Sequence, residues 1–116
     1  MAGETIVFFP KYTSLVGVAS AGQIYYSDPY EVTGYKSVEV ETLLSAVTAS
    51  ATVAARLEQS SDLLTWTEVG GSSTLTAGTI DVISKSSPAR YVRMKLTVVT
   101  ANSVVTVWSK GVGRDC

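Results

Sequence analysis

Residues 89–99 read Ala-Arg-Tyr-Val-Arg-Met-Lys-Leu-Thr-Val-Val and alternate apolar with polar side chains almost without a break. The apolar side chains fall on one side of an extended chain: Val92, Met94, Leu96 and Val98. The other side carries Tyr91, Arg93, Lys95 and Thr97. Since successive side chains of a β-strand point to opposite faces, this rhythm predicts a strand with one buried and one solvated face.

The same rhythm recurs in residues 37–44 and 51–59, whereas residues 103–109 carry Val and Trp on both faces. The last pattern is typical of a strand that is covered on two sides. The Ala-rich residues 41–56 are also compatible with a short helix. Their Thr and Ser residues favour two strands joined by a turn near residues 48–50.

Weaker strands are predicted at residues 5–9, 14–18, 23–26, 65–69 and 79–83. Turn-forming residues separate the strands, among them Gly70-Gly71-Ser72-Ser73. About eight short antiparallel strands predict an all-β fold, a single β-sandwich or jelly roll. Residues 1–116 show no internal repeat and no linker, so we expect one domain.

Charge suggests how two of these strands are placed. Glu39 and Glu41 lie on the polar side of one strand, and Arg93 and Lys95 lie on the polar side of another. Opposite charges on neighbouring strands form cross-strand ion pairs. The sequence therefore predicts that these two strands are adjacent.

Composition excludes several classes of function. The 116 residues are 46% hydrophobic and only 16% charged, with a net charge of −1, so we expect an oligomer or a component of an assembly that covers apolar surface. No basic stripe and no apolar run of roughly 20 residues occurs, so nucleic acid and membrane are not expected partners. Histidine is absent and the single cysteine is Cys116, so no disulfide, metal site or His-based triad is expected. We expect no enzyme activity and no cofactor.

Aromatic residues are the candidate binding groups. Tyr25, Tyr26, Tyr30 and Tyr35 cluster around a Ser-Asp-Pro turn. Such tyrosines seal the edge of a sandwich, form a protein interface or stack on a glycan. Residues 1–10, apolar on both faces from Thr5 onward, are either the first strand or an arm that adds a strand to a neighbour's sheet.

Two segments resemble strands of discoidin-type, galactose-binding-like jelly rolls. Ser61-Asp62-Leu63-Leu64-Thr65-Trp66 is similar to the Ser-Asp-Gly-x-Thr-Trp hairpin of that family, with Leu63 where glycine is usual. Residues 89–93, Ala-Arg-Tyr-Val-Arg, are similar to its late strand. The resemblance implies a jelly roll and, as an alternative function, a carbohydrate-binding module with Tyr30, Tyr35 and Trp66 at the glycan.

The whole chain resembles the small, His-free, Ser/Thr/Val-rich β proteins of tailed-phage virions, which include head decoration (cement) proteins and tail accessory proteins. The resemblance implies a structural protein, assembled into a virion in the host cytoplasm, that binds and stabilises neighbouring capsid or tail subunits. It also implies a homo-oligomer, a trimer or a dimer. The expected contact residues are Ile6, Phe8, Phe9, Tyr12, Tyr25, Tyr26 and Tyr30. On this hypothesis, removal of residues 1–10 leaves the sandwich folded and abolishes assembly. A third hypothesis is a domain of a larger adhesin.

Overall fold

Strands account for the regular structure of the chain. The computed structural model describes residues 4–17, 22–48, 51–100 and 102–114, with the backbone alone for Glu4, Tyr12, Ser72 and Ser73. Its strands are β1 Glu4–Gly17, β2 Gln23–Tyr26, β3 Tyr30–Glu31, β4 Ser37–Val47, β5 Val53–Ser60, β6 Thr67–Leu75, β7 Thr79–Ser86, β8 Tyr91–Val98 and β9 Ser103–Arg114. The described residues contain no helix, so residues 41–56 follow the two-strand prediction.

The strands form two antiparallel sheets packed as a sandwich. Sheet I has the order β1-β9-β4-β7. Sheet II has the order β2-β8-β5-β6, with the two-residue β3 continuing the β2 edge of β8. The predicted all-β sandwich class is confirmed, with nine strands in the described residues where about eight were expected.

The period-two rhythm correctly gives the inner faces of the sandwich. Val92, Met94 and Leu96 of β8 are fully buried, and Val98 is 1% exposed. The inner side chains of β4 and β5 are equally buried: Val38, Val40, Thr42, Leu44, Val53, Ala55 and Leu57. Each large aliphatic side chain that is removed from water in this way stabilises the fold by about 1.5–3 kcal/mol.

The amino-terminal segment is an integral strand of sheet I. β1 pairs with β9 from Glu4↔Gly113 to Gly17↔Ser103, interrupted by two bulges. A bulge adds a residue and changes which side chains face inward. Here it places the consecutive Phe8 and Phe9 both in the core, at 5% and 7% exposure, together with Ile6 at 5%. These three side chains therefore have almost no exposed surface for the partner contact that the sequence predicted for them.

The predicted adjacency of the strands carrying Glu39/Glu41 and Arg93/Lys95 is wrong, because β4 lies in sheet I and β8 in sheet II. All four residues form ion pairs within their own sheets: Glu39–Arg114 at 3.7 Å, Glu41–Lys110 at 3.9 Å, Arg93–Glu58 at 2.8 Å and Lys95–Glu68 at 3.2 Å. Charge alternation along a strand indicates that a partner of opposite sign exists. It does not indicate which strand supplies that partner.

The turn predicted at residues 70–73 is also wrong, because the chain stays extended there as part of β6. Gly71 adopts φ 139° and pairs with Arg56 in a short in-register stretch between two shifts of the β5–β6 register. The reversal comes later, at residues 76–78, where Gly78 has φ 79° and the chain passes from sheet II to sheet I. Gly70 and Gly71 thus lie between two irregularities of β6 rather than in a turn.

Asp81 on β7 is a destabilising carboxylate. Its Oδ2 atom is buried and makes no hydrogen bond within the described residues. Burial raises the pKa of Asp81 above its ordinary value of 3.8, and the charge of Arg56 opposes this. The protonated carboxyl therefore favours folding below pH 3.8, and this advantage disappears as the pH rises through the higher folded pKa.

Asp81→Asn is accordingly expected to raise the melting temperature at pH 7 and to change it less at pH 3.5, where more of the wild-type carboxyl is protonated. Thermal unfolding followed by circular dichroism at the two pH values measures this. An unchanged or lower melting temperature at pH 7 would show that the attraction to Arg56 outweighs the burial.

Candidate protein interface

Tyr25 and Tyr30 bind the edge strand of sheet I. The Tyr25 hydroxyl donates to the Val16 carbonyl at 2.8 Å and accepts the Val16 N–H at 3.2 Å. The Tyr30 hydroxyl donates to the Val7 carbonyl, and its ring lies edge-on to Phe8 with the ring centroids 5.4 Å apart. Both tyrosines thus satisfy backbone groups of β1 that the sheet leaves unpaired, so the open edge is less available for strand addition.

Tyr25→Phe and Tyr30→Phe are each expected to lower the free energy of unfolding by about 1 kcal/mol, the usual net value of one hydrogen bond. Amide exchange in β1 should accelerate. The matched control is Tyr26→Phe, since the Tyr26 hydroxyl makes no hydrogen bond within the described residues. Equal effects for all three variants would contradict this role.

Arg93 is held between two aromatic rings on the outer face of sheet II. Its guanidinium carbon lies 4.0 Å from the Tyr26 ring centroid and 4.1 Å from that of Trp66. Its Nε donates to Glu58 Oε1 at 2.8 Å, and the Glu58 side chain is only 8% exposed. Cation–π contact and a partly buried ion pair thus fix both rings in place.

The predicted glycan residues do not converge. Tyr30 contacts β1, Trp66 stacks on Arg93, and the ring of Tyr35 packs so closely over Gly113 that a Cβ there would lie 2.7 Å from it. Of the predicted contact residues, the structure brings Phe8 together with Tyr30. The Tyr12 side chain lies outside the described residues.

A surface not predicted from the sequence lies on the outer side of sheet I. Register and alternation place a set of apolar side chains there, called the outer apolar face: Val7, Val16, Leu43, Ile80, Val82, Val104 and Trp108. Five of them are between 41% and 58% exposed. The sequence feature that could have indicated this surface is the apolar pattern on both faces of residues 103–109. β9 is indeed the strand between β1 and β4, but no layer of the described chain covers its outer side.

A small hollow opens in the outer apolar face. Leu43, Ile80 and Trp108 line it, and Glu41 and Lys110 form its rim, around a volume of about 40 Å³. Two ammonium groups flank the indole of Trp108: Lys110 Nζ lies 4.8 Å from the ring centroid and Lys11 Nζ 5.5 Å. We call this feature the Trp108 hollow. It combines an apolar floor with a margin of two lysines and one glutamate.

The loop between β5 and β6 projects apolar side chains into solvent. Leu64 is 85% exposed and Leu63 is 44% exposed. We call this pair the Leu63-Leu64 knob. Hydrogen bonds from the backbone N–H groups of Thr65 and Leu64, followed by that from the Ser60 hydroxyl, hold the pKa of Asp62 below its ordinary value. Asp62 is therefore fully ionised at neutral pH beside the knob.

A shallow depression of about 440 Å³ lies at one end of the sandwich, lined by residues 31–35 and 88–90. Arg90 Nε donates to Glu31 Oε2 at 2.9 Å across it. Hydrogen bonds from Arg90 and then Thr33 hold the pKa of Glu31 below its ordinary value. Among the described residues, no group of three or more His, Cys, Asp or Glu side chains is arranged to hold a metal ion. None of those residues forms a helix long and apolar enough to cross a membrane.

Comparison with known proteins places the fold among β-sandwiches. No protein-family model and no curated protein matches the chain. The chain is similar in structure to the PBSX exported protein XepA, with TM-score 0.66 and 16% identity over 97% of this chain and 37% of that one. A chain of the infectious bursal disease virus Gx strain has TM-score 0.60 and 13% identity over 94% of this chain and 30% of that one.

A smaller protein also resembles the chain: chitosan-binding module 1 of a chitosanase/glucanase from Paenibacillus sp. IK-5, with TM-score 0.49 and 22% identity over 95% of this chain and 100% of the module. The chain spans about a third of XepA and of the virus chain, at 37% and 30% of their lengths. The likeness to those two shows the antiparallel sandwich.

Proposed function

We propose that this chain is a structural protein of a virion, and that it binds neighbouring capsid or tail subunits through the outer apolar face of sheet I. The observation that carries the proposal is the exposure of five aliphatic side chains, each between 41% and 58%, on one sheet surface. Exposed apolar side chains that gather on one face and are rimmed by polar groups often mark a protein contact.

The charges on this face fit a protein partner. Glu39–Arg114 and Glu41–Lys110 are loose pairs at 3.7 and 3.9 Å, and all four side chains are between 38% and 48% exposed. Acidic and basic groups are therefore interspersed around the apolar side chains, as in the polar rim of a protein interface. A surface that binds nucleic acid would instead carry mainly positive charges.

The choice of a virion over another assembly follows two of the structural neighbours. One is the phage exported protein XepA, and the other is a chain of infectious bursal disease virus. In this role the chain acts as an oligomer, without a catalytic step and without a cofactor.

Virions purified from the source of this sequence test the proposal. The chain should be present in them at a stoichiometry comparable to a structural subunit, and the recombinant chain should bind particles that lack it. Val16→Glu and Val104→Glu, at positions paired between β1 and β9, should each weaken binding at least tenfold.

The matched control is Ile24→Glu, on sheet II, because Ile24 is 43% exposed and Val104 is 41% exposed. Circular dichroism would establish that all three variants fold. Absence of the chain from virions, or equal binding by the three variants, would overturn the proposal.

A carbohydrate-binding module is the second candidate function. The depression of about 440 Å³ that Glu31, Tyr35 and Arg90 line has the volume of a small-ligand pocket. A glycan array with the wild-type chain and Arg90→Ala tests it. Glycan binding that the variant loses would favour this function, and an array without binding would remove it.

A further inference from the structure

The Leu63-Leu64 knob is held rigidly although its side chains face solvent. The Ser60 hydroxyl oxygen accepts the N–H groups of Asp62 at 3.2 Å and Leu63 at 2.9 Å. The Asp62 carboxylate Oδ1 accepts those of Leu64 and Thr65, both at 2.9 Å. Trp66, the last residue of the loop, is fixed on Arg93. The side chain of Leu64 therefore projects from a loop that is preorganised for contact.

Both leucines are unfavourable where they stand. Leu63 has φ 66°, in the left-handed region where glycine is usual and where a leucine costs about 1 kcal/mol or more. Leu64 leaves 85% of its surface in water. Nothing in the described chain packs over Leu64. A surface that covers this side chain would therefore have to come from another molecule.

The Trp108 hollow has the matching shape and charge. Its volume of about 40 Å³ holds about three water-sized groups, close to the branched end of one leucine. Leu43, Ile80 and Trp108 supply an apolar wall. Lys11 and Lys110 flank the indole, and Glu41 lies 3.9 Å from Lys110, so the margin holds two positive charges and one negative charge. The carboxylate that accompanies the knob, Asp62, has the opposite sign.

We propose that the Leu63-Leu64 knob of one copy of this chain binds the Trp108 hollow of a second copy, with Asp62 facing the lysines beside Trp108. The inference rests on the proposed function, because it names the first neighbour of the outer apolar face. The knob belongs to a loop of sheet II and the hollow to sheet I, so one copy can use both at once. Such a head-to-tail contact produces a closed ring or an open filament.

Sedimentation velocity tests the contact. The four samples are wild type, Leu64→Glu, Ile80→Glu and an equimolar mixture of the two variants. Each is measured at about 100 μM, a concentration at which even a weak contact between copies is populated. Wild type should form species of three or more copies. Each variant alone should be monomeric, because one side of every contact carries a buried charge. The mixture should form a heterodimer and nothing larger, because one intact knob and one intact hollow remain.

Two controls separate this contact from general stickiness. Val99→Glu, at another exposed aliphatic side chain with 46% exposure, should assemble like wild type. Raising the salt concentration from about 0.05 to about 0.5 M should weaken wild-type association several-fold, since the contact includes an ion pair near the surface. A monomeric wild type, or a mixture that stays monomeric, would overturn the proposal.

Further outcomes distinguish failure of the contact between copies from failure of the proposed virion function. Wild-type binding to phosphatidylcholine/phosphatidylglycerol vesicles that Leu64→Glu abolishes would assign the knob to lipid and overturn the contact between copies. A monomeric chain that still binds virions through Val16 and Val104 would overturn the contact and leave the proposed function standing. Rings that do not bind virions would do the reverse.

Discussion

Deletion of residues 1–10 is expected to unfold the sandwich. The deletion removes Ile6, Phe8 and Phe9, which are buried at 5%, 5% and 7% exposure. Loss of each large core side chain costs about 2–5 kcal/mol, so the sum reaches about 6–15 kcal/mol and equals the whole stability of an ordinary domain. The deletion also removes the strand that pairs with residues 109–113 of β9.

Circular dichroism and a one-dimensional proton spectrum of the shortened chain measure this outcome. Point variants separate core packing from the loss of a surface, because Phe8 is buried whereas the neighbouring Val7 is 42% exposed. Phe8→Ala should lower the free energy of unfolding by about 3–5 kcal/mol, and Val7→Ala by less than about 1 kcal/mol. A folded deletion variant would restore the idea of a detachable arm.

Gly71→Ala is expected to destabilise the chain by about 3–5 kcal/mol, from backbone strain together with steric overlap. Gly71 has φ 139°. A Cβ atom at that position would lie 2.0 Å from the Ala55 carbonyl oxygen, and that oxygen belongs to the backbone of the neighbouring strand. β5 and β6 would have to move apart at Gly71 to admit the methyl group.

Gly78→Ala is the matched control. Gly78 also has positive φ, at 79°, but no atom lies within 4 Å of the position that an added methyl group would occupy. The substitution should therefore cost only the conformational term of about 1–2 kcal/mol. Urea unfolding of both variants gives the comparison. Equal losses of stability in the two variants would show that β5 and β6 separate at Gly71 at no cost.

The sequence predicts the inner faces well, because burial of alternate side chains is recorded locally in each strand. Val92, Met94 and Leu96 needed no knowledge of the neighbouring strand to be assigned to the core. Strand adjacency is recorded only through long-range pairing, so the partners of Glu41 and Arg93 could not be read from their own segments. The bulge at Phe8 and the two register shifts of β6 also depend on the partner strand, so β1 and β6 extend beyond their predicted bounds.

The candidate interface was harder to predict for a different reason. Tyr25 and Tyr30 were chosen because tyrosine suits binding surfaces, yet their hydroxyls bind the backbone of β1. Aromatic type does not show whether a ring contacts the chain's own backbone or another molecule. The outer apolar face is assembled from four strands, and each contributes few residues. Trp108 and Ile80 meet there only because Leu43 of β4 pairs with both.

The position of β9 between β1 and β4 has a consequence for biosynthesis. A ribosome adds roughly 5–20 residues per second, so β1 is made about 5–20 s before the strand with which it pairs. Throughout that interval Phe8, Val40 and the other inner side chains of sheet I lack their central strand. Sheet I can therefore close only after residues 103–114 have been translated, and until then its inner apolar side chains lack the strand that covers them.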